Sequence, residues 1–227
     1  SNDRIDSEGG IRNTAYFLDR TGGRIGHYDK VCFPVQEFLK TPGDGFPVFD
    51  TPDLGTVGIL ICYDMVFPET TRALALNGAD LVIHCTMGGA SYGEGDASLA
   101  AFRTRAADNF LYLIVAFRNS KSMVIGPKGQ ILAEADGSGD QLVMVDVDLT
   151  AGREAGDALG GTTADFRARL FRERNPAAYS VLTQDDPPNQ DPIFLNAHPS
   201  VPPVSIAAPS AVPNRRPIER TSCSFEA

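Results

Sequence analysis

A cysteine stands where a β-strand hands over to a helix. Cys62 closes the apolar, β-branched run Thr56-Val-Gly-Ile-Leu-Ile-Cys62, and Tyr63-Asp-Met-Val-Phe-Pro68 follows at once. The run predicts a buried strand. Pro68 followed by acidic Glu69 predicts a helix over 69–77 that stops at Asn77-Gly78. The carboxyl end of a buried strand, at the mouth of a strand-to-helix turn, is where α/β proteins gather reacting groups. A cysteine there also fits a core strand as a small hydrophobe, so its neighbours decide the reading.

Two charged residues upstream supply candidates. Lys30 ends the apolar stretch Gly26-His-Tyr-Asp-Lys-Val-Cys-Phe-Pro34. A lysine in such a place usually snorkels to water. Beside a thiol it would instead favour the thiolate and lower the cysteine below its usual pKa of about 8.5. It could also sit on a developing oxyanion, where one donor is worth roughly 100- to 1000-fold in rate. Glu37 follows seven residues later, in a loop over 33–47 rich in proline and glycine. It is either a solvated loop acid or the group that orients Lys30 or a substrate.

The elements that must position these groups follow from periodicity and turn residues. Strands are expected over 13–18 and 25–33 around an Asp19-Arg-Thr-Gly-Gly23 turn, and over 48–49 and 57–61 around Pro52-Asp-Leu-Gly55. After the helix come a strand over 80–85, a loop over 86–96, and a helix over 97–109 with Leu99, Phe102 and Ala106 on one face. A strand over 111–117, a hairpin over 123–132 and a last strand over 141–147 complete the pattern. Hairpins interleaved with βα units predict an α/β fold with a mixed sheet, or two packed sheets with helices outside. Composition changes near residue 185: nine of the 16 prolines lie between Pro187 and Pro217. We read a folded domain over 1–184 and a Pro-rich disordered tail over 185–227.

The chain has 227 residues and a net charge of -9, which argues against nucleic acid as a partner and gives no support for an anionic membrane surface. No apolar run approaches the roughly 20 residues that span a bilayer. The four cysteines, Cys32, Cys62, Cys85 and Cys223, show no CxxC spacing. They read as reduced thiols in a cytosol-like compartment, with no disulfide framework, metal or cofactor expected. A redox-sensing thiol is an alternative, with Cys85 as its resolving partner.

Several segments, taken in order, resemble the nitrilase superfamily of carbon-nitrogen hydrolases. They are Tyr28-Asp-Lys-Val, Pro34 to Glu37, Thr41-Pro-Gly-Asp44 and Gly58-Ile-Leu-Ile-Cys-Tyr-Asp-Met-Val-Phe-Pro-Glu69. Asn77-Gly-Ala-Asp80, Arg103-Thr-Arg-Ala-Ala-Asp-Asn109 and Gly126-Pro-Lys-Gly129 before Ile131-Leu-Ala-Glu134 add to them. The likeness runs over about 11–180. It implies a four-layer αββα sandwich that forms a homodimer or higher homo-oligomer. It implies a Glu-Lys-Cys catalytic set: Cys62 as the nucleophile on an amide, nitrile or carbamoyl carbon, Lys30 and the backbone N–H of Tyr63 on the tetrahedral oxygen, and Glu37 as the second glutamate. The first glutamate belongs to a strand before Lys30, and none of Asp3, Asp6, Glu8 and Asp19 has that setting, so the amino-terminal strands of the fold are expected to be missing. Lys30 and Cys62 are expected at one end of adjacent strands. Met87 and Tyr63 are candidate substrate contacts, Tyr63 through its backbone, and Val66 stands where the family often has arginine. A small-molecule substrate in the cytoplasm is the implied partner. Alternatives within the likeness are a catalytically inactive binding or assembly subunit and a glutaminase-type domain.

Overall fold

The structure is a computed structural model that describes residues 2–87, 97–118, 120–149 and 166–184. Residues 1–174 form one unit and the chain from Asn175 another. In the first unit, β1 (Asn2–Ile5), β2 (Ile11–Leu18) and β3 (Arg24–Asp29) form an antiparallel three-stranded sheet in that order. Each of its two turns is closed by an aspartate. Asp6 accepts the backbone N–H groups of Glu8 and Gly10, and Asp19 those of Thr21 and Gly23. This local bonding is why aspartate opens turns. The sequence starts the hairpin at residue 13 and misses β1, whose residues are mostly polar and exposed. This strand pairs with β2 through its backbone ladder, and an ion pair, Arg4 Nη2 to Asp29 Oδ2 at 2.5 Å, ties it across to β3.

A 3-10 turn at Val35–Glu37 leads to β4 (Val48–Thr51) and β5 (Gly55–Ile61). A second 3-10 turn, Cys62–Val66, runs into α1 (Pro68–Leu76) with Pro68 at its first position, as expected. Then come β6 (Leu81–Thr86), α2 (Ala97–Ala107), β7 (Tyr112–Phe117), β8 (Met123–Ile125), β9 (Ile131–Glu134) and α3 (Phe166–Glu173). The strands from β4 to β9 form a second sheet in sequence order, with β5, β6 and β7 parallel and the outer pairs antiparallel. Parallel neighbours need a crossover, and the segments carrying α1 and α2 supply the two required here.

The two faces of this sheet differ. On one, α1 sits so close to β5 that a Cβ on Gly58 would lie 2.9 Å from the Leu74 methyls. On the other, Val57, Leu81 and Tyr112 form an apolar cluster that Phe17 of β2 joins. Phe17 also meets Phe49 with ring centroids 5.7 Å apart. The two sheets thus share one core, with helices on the far side of the larger sheet. Arg167 of α3 reaches into that helical layer. It is buried, donates to Asp80 Oδ1 at 3.0 Å, and also donates to the carbonyls of Ala75 and Ala79.

One expected strand is absent. Residues 141–147 make no ladder; they pass across the sheet face, and 143–147 line a cavity with Leu81, Tyr112 and Ile114. Their β-branched composition suits a strand, but a segment crossing a face meets side chains and not a strand edge, so it finds no ladder partners. Tyr112 Oη pins it, donating to the Asp148 carbonyl at 2.6 Å. In the second unit, Pro176–Thr183 is a 3-10 segment, and the Pro-rich stretch 185–227 lies outside the described residues. No described helix is long and apolar enough to cross a membrane.

Gly26 on β3 is a test of sheet-to-sheet packing. A Cβ there would lie 2.3 Å from the Phe49 ring. Gly26→Val should displace that ring and destabilise the protein by about 1–3 kcal/mol, read as a lower urea midpoint.

Candidate active site

The site is built on one buried carboxylate. Asp64, inside the 3-10 turn after β5, is fully buried. Its Oδ2 accepts the Tyr28 hydroxyl at 2.8 Å and the Ile61 N–H at 2.9 Å. Its Oδ1 accepts the N–H groups of Cys32 at 2.8 Å and Val31 at 3.3 Å. Burial pushes the carboxyl above its ordinary pKa, while these donors pull it back. Ile61 belongs to the larger sheet. Tyr28 is on β3, and Val31 and Cys32 follow it. One side chain therefore ties the end of β5 to the chain that carries Lys30.

The sequence places Lys30 and Cys62 on adjacent strands. The structure corrects this: Lys30 directly follows β3 of the smaller sheet, and Cys62 directly follows β5 of the larger one. The two groups meet because the sheets face each other, and both line a cavity of about 460 Å3. Asn13, Glu37, Cys85 and Met87 line it too. The Lys30 side chain is 1% exposed, so it does not snorkel. Its Nζ donates to Glu37 Oε1 at 2.5 Å and lies 5.1 Å from the Phe33 ring centroid. Glu37 is the last residue of its 3-10 turn and also accepts from Asn13 Nδ2 at 3.4 Å.

Backbone bonds carry Lys30 past the end of β3. Its N–H donates to the Asn13 carbonyl, and its own carbonyl accepts the Gly43 N–H, each at 2.9 Å. Gly43 comes so near that a Cβ there would lie 2.2 Å from the Asp29 carbonyl oxygen. This explains the glycine in Thr41-Pro-Gly-Asp44: only a residue without a side chain permits the approach.

Cys62 has a φ of 47°, in the left-handed region that non-glycine residues rarely adopt. Such a conformation costs on the order of 1–3 kcal/mol and persists only where surroundings enforce it. The Asp64 bonds on one side and a contact from β6 on the other do so: the buried His84 Nε2 lies 3.0 Å from the Cys62 carbonyl oxygen. The register sets Ile61, Cys85 and Ala116 side by side, so the carboxyl ends of all three parallel strands finish level at the cavity.

Of the residues singled out in the sequence, Cys62, Lys30, Glu37 and Met87 line one space. The Tyr63 side chain does not; its ring packs edge-on against Phe67, with centroids 5.6 Å apart. Sequence reasoning missed Asn13, Asp64, His84 and Arg118, which borders the same cavity. Asp64 had a signal, a lone acid inside an apolar turn beside the cysteine. Asn13 and Arg118 had none, because a polar residue within a strand or just after one is common. Among the described residues, no group of three or more His, Cys, Asp or Glu side chains is placed to hold a metal ion.

A family model described as carbon-nitrogen hydrolase matches residues 2–157, and the chain belongs to that family. It is 29% identical over 207 residues to N-carbamoylputrescine amidase of Arabidopsis thaliana, covering 77% of this chain and 66% of that protein. It is 35% identical over 164 residues to omega-amidase NIT2 of Homo sapiens, covering 67% and 54%. A carbon-nitrogen hydrolase from Helicobacter pylori G27 shares the fold, with a TM-score of 0.65 at 23% identity over 81% of this chain and 69% of that one. The nitrilase-type α/β fold expected from the motifs is the fold found. The chain spans 66% of the Arabidopsis protein and 54% of the human one.

The thiols differ in a way that can be measured. Burial pushes the Cys32 thiol up to about 12, with Asp64 adding to the shift, and burial also raises Cys85. Both should be protonated and slow toward iodoacetamide at pH 8, while Cys62 should alkylate ahead of them. Peptide mapping after timed alkylation checks the order, and Cys32 should react appreciably only as pH approaches its raised value.

Proposed function

We propose that this chain carries the reacting centre of a hydrolase that cleaves the carbon-nitrogen bond of a small amide, N-carbamoyl compound or nitrile through a thioester on Cys62. One observation carries the reading. A cysteine held in a left-handed turn, a fully buried lysine and the glutamate that grips it border a single cavity.

On an amide, the Cys62 sulfur donates an electron pair to the carbonyl carbon, and the carbonyl π pair moves onto oxygen. Lys30 and the Tyr63 N–H stabilise that oxygen. Collapse re-forms the carbonyl and breaks the C–N bond; the departing nitrogen takes up the proton that the Cys62 thiol gave up, so the amine leaves neutral and the thioester remains. Water then hydrolyses the thioester and frees the acid and the thiol. Glu37 keeps the Lys30 ammonium turned into the cavity; its bond replaces the water a lysine would otherwise seek. Asn13 Oδ1 is buried with no hydrogen-bond partner among the described residues, which suits it to accept an N–H of the substrate. Ile61, Met87, Ala116 and Phe117 give the cavity an apolar side, fitting a short uncharged acyl group.

The test is turnover on a panel of short amides, N-carbamoyl amines and nitriles. Cys62→Ala should abolish release of ammonia or amine, whereas Cys32→Ala and Cys223→Ala should leave it in place. Lys30→Met should lower kcat by roughly 100-fold or more, as loss of one oxyanion donor does. Turnover that survives Cys62→Ala would overturn the covalent route.

A further inference from the structure

His84 is an odd residue for its place. It lies on β6 between Leu60 and Val115 of the flanking strands and is 2% exposed. Its ring packs against Phe102 of α2, with centroids 5.5 Å apart. A valine or leucine would fill such a core position without burying polar atoms. Burial holds the imidazole neutral, its pKa pushed down to about 4. A neutral imidazole carries one N–H. Nε2 faces the Cys62 carbonyl, which can only accept, so that nitrogen carries the hydrogen. Nδ1 is left buried with no hydrogen-bond partner among the described residues. Every part of this arrangement is costly except the bond to Cys62.

That bond reaches further than one atom. The Cys62 carbonyl and the Tyr63 N–H belong to one planar peptide unit, and in a trans peptide they point in opposite directions. Holding the oxygen therefore sets where the N–H points. A hydrogen bond accepted by the carbonyl also polarises the amide and strengthens its N–H as a donor. Tyr63 is the second residue of its 3-10 turn, where the N–H has no partner inside the turn.

We propose that His84 is a positioning residue: by gripping the Cys62 carbonyl from the core, it fixes the Cys62–Tyr63 peptide plane and aims the Tyr63 N–H at the oxygen that becomes negative during attack. The proposal rests on Cys62 being the nucleophile, so its test uses two probes of that thiol. Butyraldehyde forms a reversible hemithioacetal: the sulfur electron pair makes the S–C bond, and the carbonyl π pair moves to oxygen, which takes up the thiol proton. Iodoacetamide alkylates the same sulfur, expels iodide and creates no oxyanion.

In the full chain, butyraldehyde should protect Cys62 from iodoacetamide, read by peptide mapping. In His84→Leu, the aldehyde concentration for half-protection should rise by roughly 3- to 10-fold, the worth of one hydrogen bond to the neutral adduct's oxygen, while the rate of alkylation without aldehyde stays close to wild type. His84→Gln, which keeps an N–H donor, should recover most of the protection. Imidazole nitrogen shifts of wild-type His84 should show hydrogen on Nε2, a readout independent of whether either variant folds. Three results would overturn the role of His84: unchanged protection in His84→Leu, an equal fall in protection and alkylation, or hydrogen on Nδ1. A wild-type protein whose Cys62 neither takes the aldehyde nor alkylates ahead of Cys32 would overturn the nucleophile reading itself, and this inference with it.

Discussion

The four hydrogen bonds that converge on Asp64 are the constraint on which the site depends. A carboxylate out of water must find donors, and an unsatisfied one costs several kcal/mol. Here the donors come from both sheets: Ile61 from the end of β5, Tyr28 from β3, and Val31 and Cys32 from the chain just beyond it. Satisfying the two oxygens at once leaves little freedom in how the strand ends approach. Lys30 lies between Tyr28 and Val31, so it is brought to the cysteine, near enough to Asp64 for its charge to favour that carboxylate. The aromatic contact of Phe17 with Phe49 brings the sheets together at a second place, but apolar packing is non-directional. The hydrogen bonds supply the direction.

Around this clamp, each reacting group is held in a state it would not choose alone. Cys62 is kept in a left-handed conformation, and Lys30 is kept out of water by one glutamate. The level ends of β5, β6 and β7 make this possible. Parallel strands in register deliver three residues to one rim, and the turn after β5 projects the thiol over it. Backbone strain of this kind needs a rigid frame, and the largely buried central strands provide one.

Much of the architecture was legible because periodicity reports on burial. The run ending at Cys62, the Pro68 helix start and the strands β6 and β7 appear within a residue or two of where their patterns put them. Misreadings occurred where pattern and environment part. Residues 141–147 have strand composition but lie across a face. β1 lacks an apolar face and is recognisable only by its ladder with β2 and the reach of Arg4 to Asp29 of β3. Arg167 reads as one charge among several in α3, yet it is buried against Asp80 and the end of α1, a partnership spanning some 90 residues that no local pattern encodes.

The chemistry-bearing residues were likewise visible as types. Cysteine at a strand end, lysine in an apolar stretch and glutamate in the following loop are local facts of composition and spacing, and their order carried the likeness to the family. What sequence by itself determined was therefore which groups exist, on what elements, and in what order. Only the tertiary structure decided that Lys30 and Cys62 come from different sheets, that Asn13 meets Glu37, and that Asp64 and His84 grip the turn from opposite sides. The reason is physical. Hydrophobic periodicity specifies that a strand face is buried but not against what, whereas a buried carboxylate or imidazole is satisfied only by atoms at fixed distance and direction, and those atoms are supplied by chain far away in sequence.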